Sequence, residues 1–220
     1  MATPWSKSEP QVGTIPVRKG SVEIFYANSD EQIDDLNEEI DRWEDSIEGN
    51  PGPIQRDSLE LARYGIRRWQ ESYSQQRTAK SVVQLQEMIN DNPYSEVRVL
   101  AVARASWRRS PKIVGLCTFR RTWCKNINLE VIAAHPVLDE MKNSPISGLG
   151  TGLLHHVCSV AEAIEADAIW GECTQNSAKF YSLFVAKPIV QDLIILRKAD
   201  YVPLKEKIGT KWQERQGSGL

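Results

Sequence analysis

The sequence predicts an α/β protein with one central sheet, mostly antiparallel, that contains at least one parallel pair. Three observations lead there. Residues 97–105, 112–120 and 127–134 are short runs rich in Val, Ile and Leu, joined by turn-sized gaps, which is the pattern of antiparallel strands linked by hairpins. A glycine-rich segment and a long amphipathic run follow, 146–166, so the chain leaves the sheet as a helix. "DAIWGECT" (167–174) then returns as a strand, and a strand–helix–strand crossover makes a parallel pair.

The elements follow in order. Residues 1–20 are rich in Pro, Ser and Thr and are expected to be a disordered lead. "SVEIFYAN" (21–28) is a strand. Ser29 or Asp30 caps an acidic helix whose apolar positions are Ile33, Leu36, Ile40, Trp43 and Ile47, at steps of 3 and 4. "GNPGP" (49–53) ends it. A second helix is expected from about Ser58, with Leu59, Ala62, Ile66, Trp69 and Tyr73 on one face, and a third over about 78–91. These are extra N-terminal helices flanking the sheet. After the crossover, "NSAKFYSLF" (176–184) is a short helix, "PIVQDLIILR" (188–197) a strand, and 206–220 a polar C-terminal tail. Residues 21–205 are expected to be a single domain.

Composition narrows the function classes. The chain has 220 residues, 41% hydrophobic and 25% charged, the balance of a globular protein. The formal net charge of −2 leaves no global basic field, so nucleic acid is not an expected partner. No apolar run approaches a membrane span, and the N-terminus has no apolar signal core. The four cysteines form no CxxC pair and no Cys/His ligand spacing. They read as reduced, mostly core thiols of a cytoplasmic protein, and no metal is expected. Cys173 has no histidine near it in sequence and is not the expected nucleophile. His155 and His156 read as capping or exposed residues at the helix start.

The chemistry points to "ISGLGTGLL" (146–154). Glycines 148, 150 and 152 precede a helix, where unpaired N–H groups and the helix dipole attract anions, and glycine lets a phosphate approach the main chain. A P-loop needs a lysine after its glycines, and none stands here; a GxGxxG count fails at Leu153 or His155. On the glycines alone, a flexible connection with a helix cap remains an alternative.

The neighbours of this segment carry a resemblance. "AAHP" (133–136), "SGLGTG" (147–152), a strand ending "GECT" and then Asn176, Ala178 and Tyr181 resemble, in order and distance, the Gcn5-related N-acetyltransferase (GNAT) family over about residues 95–197. Ser147 stands where that family usually has Arg or Gln, and no "GF" follows Tyr181. The resemblance implies a GNAT-like sheet splayed at its one parallel pair, with acetyl-CoA as co-substrate in the cleft. Main-chain groups of Ile132, Ala133 and Ala134 would pair with the pantetheine arm. The amides of Ser147, Gly148, Leu149, Gly150, Thr151 and Gly152 would hold the diphosphate, with Asn176 fixing the arm opposite. A primary amine must lose a proton before attack. Glu172 and Glu130 are the candidate general bases, each alternatively a solvent-facing strand residue. Tyr181 would protonate the departing thiolate, or is alternatively a core tyrosine.

The acceptor is less legible. From Asp30 to Glu48 there are ten acidic residues and one base, Arg42. Such a helix attracts a small basic molecule, a polyamine or a protein amine, or is a solvated face. "SWRRSPK" (106–112) and "FRRTWCK" (119–125) place Arg and Trp together on two hairpin ends, a mixture able to stack on bases or bind phosphate, or to serve solubility alone. Three of the seven tryptophans lie in or beside the N-terminal helices, hinting either at a contact area such as a homodimer face or at core. The alternative to an enzyme is a non-catalytic module of the same fold that binds CoA, a protein or RNA.

Overall fold

The chain is described from a computed structural model that covers residues 11–18, 20–108, 112–140, 144–185 and 192–217. Its elements are β1 (Gly13–Pro16), β2 (Ser21–Tyr26), α1 (Asp30–Asp45), α2 (Pro53–Tyr73), α3 (Val82–Asp91), β3 (Val97–Arg104), β4 (Ile113–Arg121), β5 (Ile127–Ala134), α4 (Pro136–Glu140), α5 (Leu149–Ala163), β6 (Ala168–Glu172), α6 (Ala178–Ser182), β7 (Leu193–Arg197) and α7 (Lys198–Gly217). The strands lie in sequence order in one seven-stranded sheet. Every neighbouring pair is antiparallel except β5 and β6.

Local chemistry sets the element boundaries. Ser29 caps α1, its Oγ accepting from Gln32 N, and Ser81 caps α3 through Gln84 N. Helix α2 starts at Pro53, five residues before the sequence expectation, because proline is preformed for a first helical turn. The Gly52 N–H donates to Gln55 Oε1 at 2.9 Å and closes that end. Two expected tails are ordered elements. Within the presumed lead, β1 pairs with β2 and buries Ile15 completely. The expected polar tail from 206 is the second half of α7, which places Tyr201, Leu204 and Ile208 on the core. Of the expected strand 188–197, residues up to 191 lie outside the described set.

The sheet has a helical layer on each face. Helices α1 and α2 cover one, with Ile33, Leu36, Ile40, Trp43, Ile66 and Trp69 buried against Leu100, Val102 and Leu116. Trp43 and Trp69 are thus core, and Trp43 Nε1 donates to Ile113 O. Helices α5 and α7 cover the other face, packed on each other and on Val99, Ala101, Cys117 and Phe119. Lys205 of α7 pairs with Glu162 of α5, and Tyr201 Oη donates to Ala166 O at 2.7 Å.

One irregularity shapes the cleft. Thr118 pairs with Val131, but the next β4 residue, Phe119, pairs with Leu129, so Glu130 is an extra residue on β5. The insertion switches the alternation. Ile127 and Leu129 face α5, whereas Val131 and Ala133, also odd-numbered, face α2. A bulge bends its strand, and here β5 leaves β6: the parallel ladder is Ile127 with Ile169 and Asn128 with Trp170, and goes no further. At the parting point a Cβ on Gly171 would lie 2.4 Å from Leu129 O, so a side chain there has no room.

His156 is not an exposed cap. It is 7% exposed, faces the sheet, and its Nε2 is 2.9 Å from Tyr26 Oη. Burial, then neighbouring His155, lowers its pKa to about 4; burial, then Arg108, lowers that of His135 to about 4. Both are depressed from 6.5, so between about 6.5 and about 4 the unfolded chain binds more protons than the folded one. Stability is full above that window and falls with pH through it. The urea midpoint should therefore drop steadily between these limits, and His156→Gln should reduce the slope. A flat midpoint across the window would contradict the burial of both rings.

Candidate functional site

Where β5 and β6 part, the β5 edge is open. His135 N–H donates to Val114 O at 2.9 Å, continuing the ladder with β4. By the antiparallel alternation, Ala133 turns its main-chain groups toward β4, and Ile132 and Ala134 turn theirs outward. The Ala134 carbonyl is taken by Ser58 Oγ of α2. The Ile132 N–H and C=O and the Ala134 N–H remain on the free edge.

A cavity of about 180 Å³ lies against this edge. Ile132, Ala133 and Ala134 form one wall, Gly150 the floor at the α5 start, and Thr174, Asn176, Phe180 and Tyr181 the opposite wall. Ile54, Asp57, Ser58 and Leu61 of α2 close the third side. Asn176 Nδ2 donates to Asp57 Oδ2 at 2.7 Å and links α2 to the loop after β6.

The glycines of the α5 start divide into different tasks. Gly148 is the N-cap with φ +95°, a left-handed conformation that favours glycine. Gly150 faces the cavity, where a Cβ would meet Phe180 at 3.5 Å, an ordinary contact. Gly152 faces away. A Cβ there would lie 2.0 Å from Ile15 Cγ2, so this glycine serves the packing of α5 on β1. Leu149 N donates to Ile146 O, Ser147 N to Ser144 O and Gly152 N to Gly148 O. Among the described residues no acceptor meets the N–H groups of Gly148, Gly150 and Thr151. Three open amides at the start of a 15-residue helix are suited to an anion.

Tyr181 lies on α6 with its ring packed edge-on against Phe180, 5.0 Å between centroids. It is 6% exposed yet lines the cavity, and no protein partner meets its hydroxyl among the described residues. Burial, then Cys173 and Cys117, pushes its pKa above the ordinary 10, so the phenol holds its proton firmly. Burial likewise raises the Cys173 thiol, which makes it a poor nucleophile.

The two glutamates do not share this site. Glu130 is clamped by Arg98, Nε to Oε2 and Nη2 to Oε1, both at 2.8 Å, with Arg120 Nε at 3.5 Å. Arg98 also donates to Arg68 O and to Ser72 Oγ of α2. Glu172 ends β6, exposed, with no protein partner among the described residues. The carboxylate that lines the cavity is Asp57, which sequence reasoning did not single out. Its one signal was a polar pair, Asp57–Ser58, in the second turn of a helix with one apolar face.

Other sequence expectations fall elsewhere. The Arg/Trp segments sit at opposite ends of β4, nine residues long and hence about 30 Å apart, and cannot form one patch. Residues 109–111 of the first lie outside the described set. In the acidic helix, Arg42 pairs with Glu38 and Glu39, and Arg63 pairs with Asp41 and Glu44. Glu39 is buried and accepts from Lys112 N. Among the described residues no group of three His, Cys, Asp or Glu side chains is placed to hold a metal, and no helix is long and apolar enough to cross a membrane.

No family model and no curated protein matches this sequence. Solved structures similar to it include acetyltransferases. An acetyltransferase of the GNAT family from Staphylococcus aureus is 13% identical, with 80% of this chain and 99% of that one covered at a TM-score of 0.42. An acetyltransferase from Streptococcus agalactiae is 13% identical, with 79% and 96% covered at 0.38. Nourseothricin acetyltransferase is 14% identical, with 46% of this chain and 65% of that one covered at 0.35. The architecture stands on the strand order and register given above.

The unequal glycines make a direct comparison. Gly152→Ala should cost about 1–3 kcal/mol through overpacking on Ile15. Gly150→Ala should change stability by less than about 1 kcal/mol, or raise it, because the space is open and alanine favours helix. Urea denaturation of both variants measures the difference; equal losses would refute the assignment.

Proposed function

We propose that the chain transfers the acetyl group of acetyl-CoA to a primary amine. The observation that carries this reading is the meeting of three features at one small cavity: a free strand edge, the open helix-start amide of Gly150, and a buried tyrosine with no protein partner among the described residues; the Gly148 and Thr151 amides open on the adjoining cavity beyond the same helix turn. Gly148, Gly150 and Thr151 suit the diphosphate, and the Ile132 and Ala134 edge suits the amides of the pantetheine arm. Acetyl-CoA supplies the activated acyl group. Membership of the GNAT family belongs to the same proposal, supported by the motifs in 133–181 and by the strand order.

The side chains divide the remaining work. Tyr181, protonated throughout the working range, donates its proton to the leaving sulfur. The Ile132 N–H is available to a developing oxyanion. Glu130 has its oxygens committed to guanidinium donors and serves to hold the bulge. Proton removal from the amine then falls to Glu172, free at the end of β6, or to Asp57 in the lining, directly or through water. An acceptor approaching past Asp57 and Glu172 meets negative charge, which favours a cationic amine over an anionic one. Among the described residues the cavity lining holds no glutamate, and its one carboxylate, Asp57, accepts from Asn176, which favours the second reading, a non-catalytic CoA-binding module.

Calorimetry with acetyl-CoA tests the premise of both readings; no heat and no thermal shift at millimolar coenzyme would end them. Tyr181→Phe then separates them. An enzyme assayed against polyamines and lysine peptides should lose roughly 10²-fold or more in kcat with acetyl-CoA affinity unchanged. Unchanged turnover would remove Tyr181 from the mechanism. In the same assay, Glu172→Gln and Asp57→Asn should identify the base by loss of the acidic limb of the pH–rate profile.

A further inference from the structure

Next to the small cavity, one stretch of the sheet stays exposed on the α2 side. Helix α2 lies over β3, β4 and β5, while α7 packs on the opposite face of β6 and β7. On the α2 side the register sets Glu172 beside Leu193, Trp170 beside Ile195 and Ala168 beside Arg197. Their strand neighbours Ile169, Ile194 and Leu196 point the other way, into the core. Leu193 is 47% exposed and Ile195 50%, and half-buried Trp170 belongs to neither core cluster. Thr174, two residues past Glu172, already lines the cavity.

The exposed stretch has an order of charge. Glu172 stands at the cleft end, without a protein partner among the described residues. Leu193, Trp170 and Ile195 make an apolar middle. Arg197, exposed and without an ion pair among the described residues, closes the far end, where Asp167 and Lys198 adjoin it with opposite charges. Strand β7 is five residues long, so the stretch runs about 13 Å. An amine placed at Glu172 has apolar surface behind it for most of that length, and a second ammonium group would meet Arg197. The outer edge of β7 adds main-chain donors and acceptors, since among the described residues β7 pairs with β6 alone. A polyamine uses neither the apolar middle nor the strand edge. A small aromatic amine uses the first but not the second. An extended polypeptide uses both, with alternate side chains on the apolar face and its main chain against the edge.

We propose that β6 and β7 form a docking platform for an extended polypeptide that presents the acceptor amine, with the apolar side chains at alternate positions after that amine resting on Leu193, Trp170 and Ile195. Acetylation of the docked amine rests on the transferase reading; the docking itself does not. The platform selects a polypeptide amine followed by apolar residues over a polyamine or a free amino acid, a choice that Asp57 and Glu172 alone do not make.

Fluorescence anisotropy with two labelled peptides tests it: a lysine followed by alternating serine and leucine, and a peptide of the same length with serine alone after the lysine. The wild-type protein should bind the leucine peptide roughly tenfold or more tightly. With acetyl-CoA present, kcat/KM should follow the same order. L193S/I195S should bring the two affinities together. Both side chains are about half exposed, so the thermal midpoint and the heat of acetyl-CoA binding should stay in place. R197E should raise the affinity of a peptide with a second lysine at its fifth position by roughly threefold or more at low salt, and added salt should remove that gain. Equal wild-type affinities, no binding of either peptide, or a preference that survives L193S/I195S would overturn the proposal; acetyl transfer to a small amine would then leave the transferase reading standing. A dimer by light scattering that L193S/I195S dissociates, without a peptide preference, would overturn it in favour of a second copy of the chain. A leucine preference without acetyl-CoA binding would keep the docking platform and end the transferase reading.

Discussion

The cleft depends on one extra residue in β5. Without Glu130 in the ladder, Ile127 to Ala134 would keep a single alternation and continue beside β6. The bulge is secured from outside the sheet. Arg98 reaches from β3 to both oxygens of Glu130 and also to the Arg68 carbonyl and Ser72 hydroxyl of α2. A buried pair of this type adds little net stability over an apolar packing, but losing one partner leaves a stranded charge at a cost of about 3–5 kcal/mol. Its contribution is geometric: it ties the bend of β5 to the position of α2, the helix that brings Asp57 and Ser58 to the cavity.

The same economy of position governs the α5 start. The packing of Gly152 on Ile15 sets how close the helix sits to β1, and the left-handed turn at Gly148 sets the direction in which the chain enters it. Those two constraints leave the amides between them aimed into open space. The open amides follow from tight packing one turn further along the helix.

Much of the fold was legible in the sequence, because hydrophobic period reports burial directly. The three hairpin strands, the apolar faces of α1 and α2 and the crossover helix fell close to their expected places. The failures have physical causes. The Tyr201, Leu204, Ile208 and Trp212 spacing of α7 is helical, but Pro203 and Gly209 interrupt it and the remaining positions are polar. Four-residue β1 owes its place to pairing with β2, which no local pattern reports. At the site, the motif spacing placed Tyr181, Gly150 and the β5 edge on one cavity. It could not show that Glu130 is spent on Arg98, nor that Gly152 faces Ile15, since both depend on partners distant in the chain.

The two cavities also differ in sign. On the α5 and α7 side lie the open amides of Gly148 and Thr151, Lys207 and Lys211, with Asp200 accepting from Arg197 N–H; on the α2 side lie Asp57 and, at the end of β6, Glu172. A polyanionic coenzyme and a cationic amine would each be drawn to the end that complements it, and each repelled from the other's. Net charge near zero conceals this division, which is why the composition of −2 carried no hint of it. An acyl transfer between two such reactants needs them aligned head to head at the tyrosine. Under the transferase proposal, a charge gradient running along the α5 start would supply that alignment before any contact with the reacting atoms is made.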